Sequence, residues 1–312
     1  MIKIAKSIRD TKDSMDEIFA PLKLYASPWS APAWMKSNNA LNGIGYLLPE
    51  YYQPWANYFV KFLNGYKSQG ISFWGLTAQN EPLNGVLGNS INDMGWNSTT
   101  QREWIVNNLG PALESAGYSD LKLMMFDDQR LLAPKWAREV FADEKALKYI
   151  SGIAVHWYAD DFGLPFALDQ CHDEFPDKFI LYTEACNVGQ MDHKPPVVLG
   201  DWDRGERYLY NIIEDLNHWV VGWTDWNLAL DINGGPSWCG SYVDSPIIVD
   251  HENHIFYKQP MYYALGHISR FVVPKSVRIG LEKNYNLIEA VAFKLPFEAE
   301  GYNIFAIIIL NR

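Results

Sequence analysis

The strongest constraint on this chain is an alternation of short apolar runs with amphipathic stretches, the pattern of β-then-α units. Strand-like runs fall at 22–27 (LKLYAS), 73–79 (FWGLTAQ), 121–126 (LKLMMF), 152–158 (GIAVHWY), 178–183 (KFILYT) and 220–226 (VVGWTDW). Helical periodicity lies between and after them. Over 50–69 it puts Trp55, Phe59, Phe62 and Tyr66 on one face, closed by Gly70. A second helix is predicted from Ser98, where Ser98 and Gln101 have capping-box spacing and Trp104, Ile105, Leu109 and Leu113 form the stripe. Further helices are predicted near 134–149, 204–218 and 258–271. No glycine-rich phosphate loop follows any strand, so the dinucleotide-binding open sheet lacks its usual signature.

Serial βα units without that loop point to a (β/α)8 barrel. A closed barrel needs eight strands, and residues 1–21 leave no room for two more. After 274 the texture changes to strands without helices: SVRIGLEK, NLIEAVAFKL and NIFAIIILNR. The expectation is an α/β chain: a TIM barrel lacking its first two strands over 1–273, then part of a C-terminal β-sandwich domain over 274–312. Both ends read as cut, as in an incomplete gene model or a truncated product.

The totals exclude several classes. Apolar residues make up 48 % of 312, which is not a disordered composition. With 26 Lys+Arg against 37 Asp+Glu the formal charge is -11, a poor basis for gripping a phosphate backbone, so no nucleic-acid partner is expected. Cys171, Cys186 and Cys239 cannot build a disulfide framework. No apolar run approaches the length of a membrane span, and the charged amino terminus has no signal-peptide core. The 13 Trp and 18 Tyr suit a cleft that stacks on flat ligand faces, although most aromatics in any fold are core.

Two strand ends stand out. ISFWGLTAQ stops on Asn80-Glu81-Pro82, where Pro82 cannot continue a ladder and is expected to hold Glu81 extended. KFILYT ends on Glu184. With two strands ahead of the first, these glutamates fall on the fourth and seventh strands, on facing walls of the barrel mouth. A single such Glu is more often a capped or salt-bridged loop carboxylate. The pair at equivalent places matches what glycoside cleavage requires: one carboxyl to protonate the leaving oxygen, another to attack or to activate water. Trp29, Trp34, Asp127, Asp128, His156, Trp157, Tyr158, Asp225, Trp226 and Asn227 lie at the other strand ends, each explicable alone as packing or a cap. Together they describe a polar, aromatic cleft. His251 and His254 have i,i+3 spacing in a loop-like stretch, so no metal site is assigned to them, and no cofactor is expected. The triplet Asn97-Ser98-Thr99 is a common sequon and overlaps a helix cap.

The segments LYASPWSAPAWMK, TAQNEP, FDDQRLL, GIAVHWY, TEAC, WDRG, VGWTDWNLAL, GGPSW and VDSPIIVD, in this order, resemble the lysosomal glucosylceramidases (acid β-glucosidases) of glycoside hydrolase family 30. The resemblance runs from about residue 20 to the end. It implies a retaining β-glucosidase releasing glucose and ceramide from glucosylceramide. By motif, Glu81 resembles the acid/base and Glu184 the nucleophile. Asn80 would hold the 2-hydroxyl, Trp29 and Trp226 would line the glucose pocket, and His156 and Tyr158 would orient the carboxyls. It also implies a lysosomal site peripheral to the membrane, glucosylceramide in membranes as substrate, and anionic lipid and a saposin-like activator as candidate partners. The family's upstream strands, including one that supplies a glucose-binding Asp, have no counterpart here, and LNGVLGNSIND after Glu81 lacks the family's aromatic. Two alternatives stand beside this reading. One is an inactive or incomplete family fragment that at most binds sugar or lipid; the other is a related β-glycanase specificity, against which WTDWNLAL and DSPIIVD speak.

Overall fold

The structure is a computed structural model and describes residues 1–10, 21–188, 192–282, 284 and 287–311. Its largest sheet has six strands in chain order: β1 (Tyr25–Ala26), β2 (Gly75–Thr77), β3 (Lys122–Gln129), β4 (Ile150–His156), β5 (Phe179–Glu184) and β6 (Val220–Trp223). Each pairing from β1 to β4 is parallel. Such strands should be apolar on both faces, and the buried run Leu123-Met124-Met125-Phe126 meets that demand. The chain divides into two compact units, with the boundary between Tyr182 and Thr183.

In the first unit, Met124, Ala154 and Leu181 form a buried cluster with Tyr25, Trp74 and Phe179 against it. The helix Tyr52–Lys67 buries Trp55, Ala56, Phe59 and Leu63. Phe59 meets Trp104 edge to face, and Trp104 stacks on Trp96 with centroids 5.1 Å apart. The Trp104 indole N–H donates to the Tyr52 carbonyl at 3.0 Å, which satisfies the one polar atom of a fully buried ring. The helix expected from Ser98 has Asn97 as its cap, not Ser98. Asn97 accepts from Thr100 N and Thr100 reaches back, completing the box, while the Ser98 hydroxyl donates to Glu139. That helix runs Ser98–Trp104, widens into a π turn at Ile105–Leu109, and resumes at Gly110–Ser115. The stretch near 134–149 is two helices, Ala133–Phe141 and Glu144–Tyr149. Asp143 breaks it by leaving the helical region and capping Lys145 N.

In the second unit, the helix Trp202–Asn217 buries Tyr208, Ile212 and Ile213. Ile213 joins Val291, Phe293, Leu295, Ile308 and Leu310 in one apolar cluster. The last five come from an antiparallel sheet of β10 (Val277–Ile279), β11 (Ile288–Ala299) and β12 (Tyr302–Asn311), the sheet expected after 274. A further small sheet of β7 (Ala229–Asp231), β8 (Ile247–Asp250) and β9 (Ile255–Lys258) had no sequence signal, because its strands are too short to show a period. Arg204, only 2 % exposed, bonds Asp244 at 2.5 Å and Asp192 at 2.7 Å. Its other donors serve the carbonyls of Pro195 and Pro196, so the buried guanidinium is fully occupied. Among the described residues no helix is long and apolar enough to cross a membrane.

Candidate active site

Glu81 follows the end of β2, as the sequence implies, but it is not extended. Its φ is +38°, in the left-handed region. The restriction imposed by Pro82 disfavours the right-handed helical region, and two main-chain bonds decide the rest. Glu81 N donates to the Asp127 carbonyl at 2.9 Å, and Asn84 N donates to the Glu81 carbonyl at 3.0 Å. Glu81 is thus pinned from β3 on one side and by its own turn on the other.

Three side chains meet its carboxyl. Oε1 has His156 Nδ1 at 3.0 Å and the Gln129 amide at 3.2 Å; Oε2 accepts from Asn84 at 2.5 Å. His156 ends β4 and is buried, with its Nε2 3.1 Å from Asp127 Oδ1. Tyr158 meets the His156 ring edge-on, centroids 6.1 Å apart. Asp128 turns both oxygens to amides, Leu83 N at 3.1 Å and Gln129 N at 2.8 Å. Burial, reinforced by the charge of Glu81, pushes its carboxyl up to about 6.

Asn80 is buried, and its N–H donates to the Pro28 carbonyl at 2.9 Å. Gln79 donates to the Trp29 carbonyl at 2.7 Å. The loop after β1, which carries Trp29, is therefore tied to the residues that lead into Glu81. Trp29 and Tyr158 are half-buried. Gln129 and Asn84 escaped sequence reasoning. Gln129 sits where β3 runs past its apolar stretch, and Asn84 opens the one-turn helix Asn84–Leu87, too short to show a period. The signal available for Gln129 was its place directly after the two acids of FDDQ.

The second unit carries Glu184 and Trp226. Glu184 is the last residue of β5 and is 9 % exposed. Trp226 N donates to the carbonyl of Ala185, the next residue, at 2.9 Å. That bond fixes the segment after β6 to the segment after β5. Beside Trp226, Asp225 has its carboxyl oxygens shut from solvent. Burial pushes it up to about 8, against the opposing pull of the Tyr208 hydroxyl and the Asn227 and Trp226 amides. Tyr208, fully buried, is raised well above its usual value, chiefly by burial and next by Asp225.

Comparison with known proteins gives a consistent picture. The family profile described as the glycosyl hydrolase family 30 TIM-barrel domain matches residues 10–272. Over 299 residues the chain is 46% identical to the lysosomal acid glucosylceramidase of Mus musculus, covering 94% of this chain and 57% of that protein. It is 45% identical over 286 residues to putative glucosylceramidase 3 of Caenorhabditis elegans, covering 88% of this chain and 53% of the relative. Among solved structures, SrfJ from Salmonella typhimurium superposes with a TM-score of 0.81 at 31% identity, over 88% of this chain and 60% of that one. The chain spans about half the length of the curated relatives it matches.

Proposed function

The chain belongs to glycosyl hydrolase family 30, and from that premise we propose that it is a retaining β-glucosidase that converts glucosylceramide to glucose and ceramide by double displacement. The observation that carries the reading is the grip on Glu81: a carboxyl in the turn that follows a parallel strand, met by the His156 imidazole and two amides and locked at its main chain. A general acid needs that fixity, because proton transfer is useful only from a held geometry.

In this reading Glu184 attacks the anomeric carbon while Glu81 gives its proton to the departing oxygen, leaving a glycosyl ester on Glu184. Glu81, now a carboxylate, takes a proton from water as that water cleaves the ester. Both residues end as they began. Asn80 would hold the 2-hydroxyl, where hydrogen bonding strengthens as charge develops on the ring. Trp29 and Trp226 would bound the glucose, and Tyr158 would help orient the carboxyls. Work on glucosylceramide implies action at a membrane surface, in the lysosome, with anionic lipid and a saposin-like activator as partners. The name of the mouse relative supports the compartment and the substrate.

The test is hydrolysis of a fluorogenic β-glucoside in mildly acidic buffer by the chain and by its Glu184→Gln form. Turnover by the first, reduced more than about 10³-fold in the second, supports the reading. The sugar first released should be the β-anomer by NMR; release of the α-anomer sinks the retaining mechanism.

A further inference from the structure

Asp127 has no assigned part in this chemistry, yet it touches the acid/base apparatus at two points. It lies in a β-bulge. Along β3 and β4 the register runs Phe126↔Ala154 and then Asp128↔Val155, so one residue of β3 has no counterpart. Phe126 and Asp127 have φ of +72° and +65°, consecutive left-handed residues inside a strand. A phenylalanine resists that conformation, and such strain persists only where the surroundings enforce it. The Asp127 side chain is fully buried. Its carbonyl accepts the Glu81 N–H at 2.9 Å, and its Oδ1 lies 3.1 Å from His156 Nε2, while His156 Nδ1 lies 3.0 Å from Glu81 Oε1. Asp128, the neighbouring carboxyl, turns its oxygens to the Leu83 and Gln129 amides, whereas Asp127 turns Oδ1 to the His156 ring.

Proton counting makes the chain of contacts specific. An ionised carboxylate only accepts, and a neutral imidazole has one N–H. For both His156 contacts to be hydrogen bonds, the trio must hold two protons. An imidazolium between two carboxylates does so; so does a neutral imidazole with its Nε2–H on ionised Asp127 and Glu81 the carboxylic acid, or with its Nδ1–H on ionised Glu81 and Asp127 the acid, and of the three only the second has Glu81 ready to donate. Moving one proton from Nδ1 to Oε1 converts the first into the second with nothing gained or lost.

We propose that Asp127 is the positioning residue of the acid/base: it fixes the His156 ring and, through it, keeps a proton at Oε1 of Glu81. This rests on the function proposed above. Without Asp127, the ring can turn or take the tautomer with its N–H on the wrong side, and Glu81 loses the partner that reloads it. An analogous Asp-to-Asn change in serine proteases leaves geometry intact and fails through the tautomer.

The test exploits leaving-group chemistry. A 2,4-dinitrophenyl glucoside departs without acid help, whereas an alkyl glucoside needs a proton. Asparagine suits the left-handed backbone at 127, so Asp127→Asn adds no strain there. Its kcat/KM should fall at least about 30-fold further on the alkyl than on the dinitrophenyl substrate, within the range a general acid contributes. Azide, which replaces base-assisted water, should raise its kcat on the dinitrophenyl substrate. Equal loss on both substrates, or no loss, overturns the proposal, since a structural role would not discriminate between leaving groups. His156→Gln cuts the same chain and must show the same selectivity; if Asp127→Asn fails to fold, the absence of selectivity in His156→Gln overturns the proposal. A native chain that hydrolyses neither substrate removes the proposed function and this inference with it, whereas a native chain active on both isolates the fault in Asp127.

Discussion

Asn84 holds Glu81 with both its side chain and its backbone: Nδ2 donates to Oε2 at 2.5 Å and the main-chain N–H to the Glu81 carbonyl at 3.0 Å. The residue that shapes the turn after β2 is also one that orients the carboxyl. Removing a hydrogen bond to a charged group costs about 1.5–3 kcal/mol where the group is partly buried. Asn84→Ala should therefore lower the stability to unfolding by about that amount and, by freeing the carboxyl, lower kcat/KM on an alkyl β-glucoside by roughly tenfold or more. Full activity in that variant would show that the contact does not orient the acid.

The loop that follows is closed by two glycines. A Cβ on Gly85 would collide with the backbone of Met94 and Gly95, and one on Gly95 would come within 2.8 Å of the Gly85 carbonyl. Gly85→Ala should cost about 1–3 kcal/mol through overpacking and make the loop between Pro82 and Trp96 sensitive to protease. Gly65 is the contrast. It lies in the helix Tyr52–Lys67 with open space at its Cβ position, so Gly65→Ala should stabilise by about 0.5–1 kcal/mol. Chemical denaturation of both variants against the native chain measures the two signs together.

Asp225 gives a pH prediction with a definite sign. Its folded-state value of about 8 lies above the ordinary 3.8, so the folded chain holds this proton more tightly than the unfolded one. The stability it contributes is fully present below the unfolded value and is lost as pH rises through the folded value. Between roughly pH 5 and 7 a single retained proton gives a slope of about 1.4 kcal/mol per pH unit, falling with pH. Asp225→Asn should flatten that part of the profile. Melting temperatures of both forms across this window decide the matter; parallel profiles would place the titration elsewhere.

The positions of Glu81 and Glu184 could be read without a structure because local chemistry fixes them. An apolar run reads as a strand and a charge marks its limit, so Glu184 was placed at the end of β5 and Glu81 just beyond β2, which stops at Thr77, from residues a few positions away. The helix Trp202–Asn217 and the long strands after 274 were legible for the same reason, since their periods of burial are written along the chain. The short strands of Ala229–Lys258 were not, because three or four residues carry no period.

The order of residues along the chain carries the alternation of elements, the candidate pair Glu81 and Glu184 and, through its motifs, the family. The conformation and partners of those residues come instead from contacts made across the fold. The left-handed turn at Glu81, the bulge at Asp127 and the span of His156 between two carboxyls depend on bonds linking β2 to β3 and β4 across dozens of residues. No local propensity encodes such bonds: a backbone conformation that is unfavourable in isolation persists only where distant partners hold it.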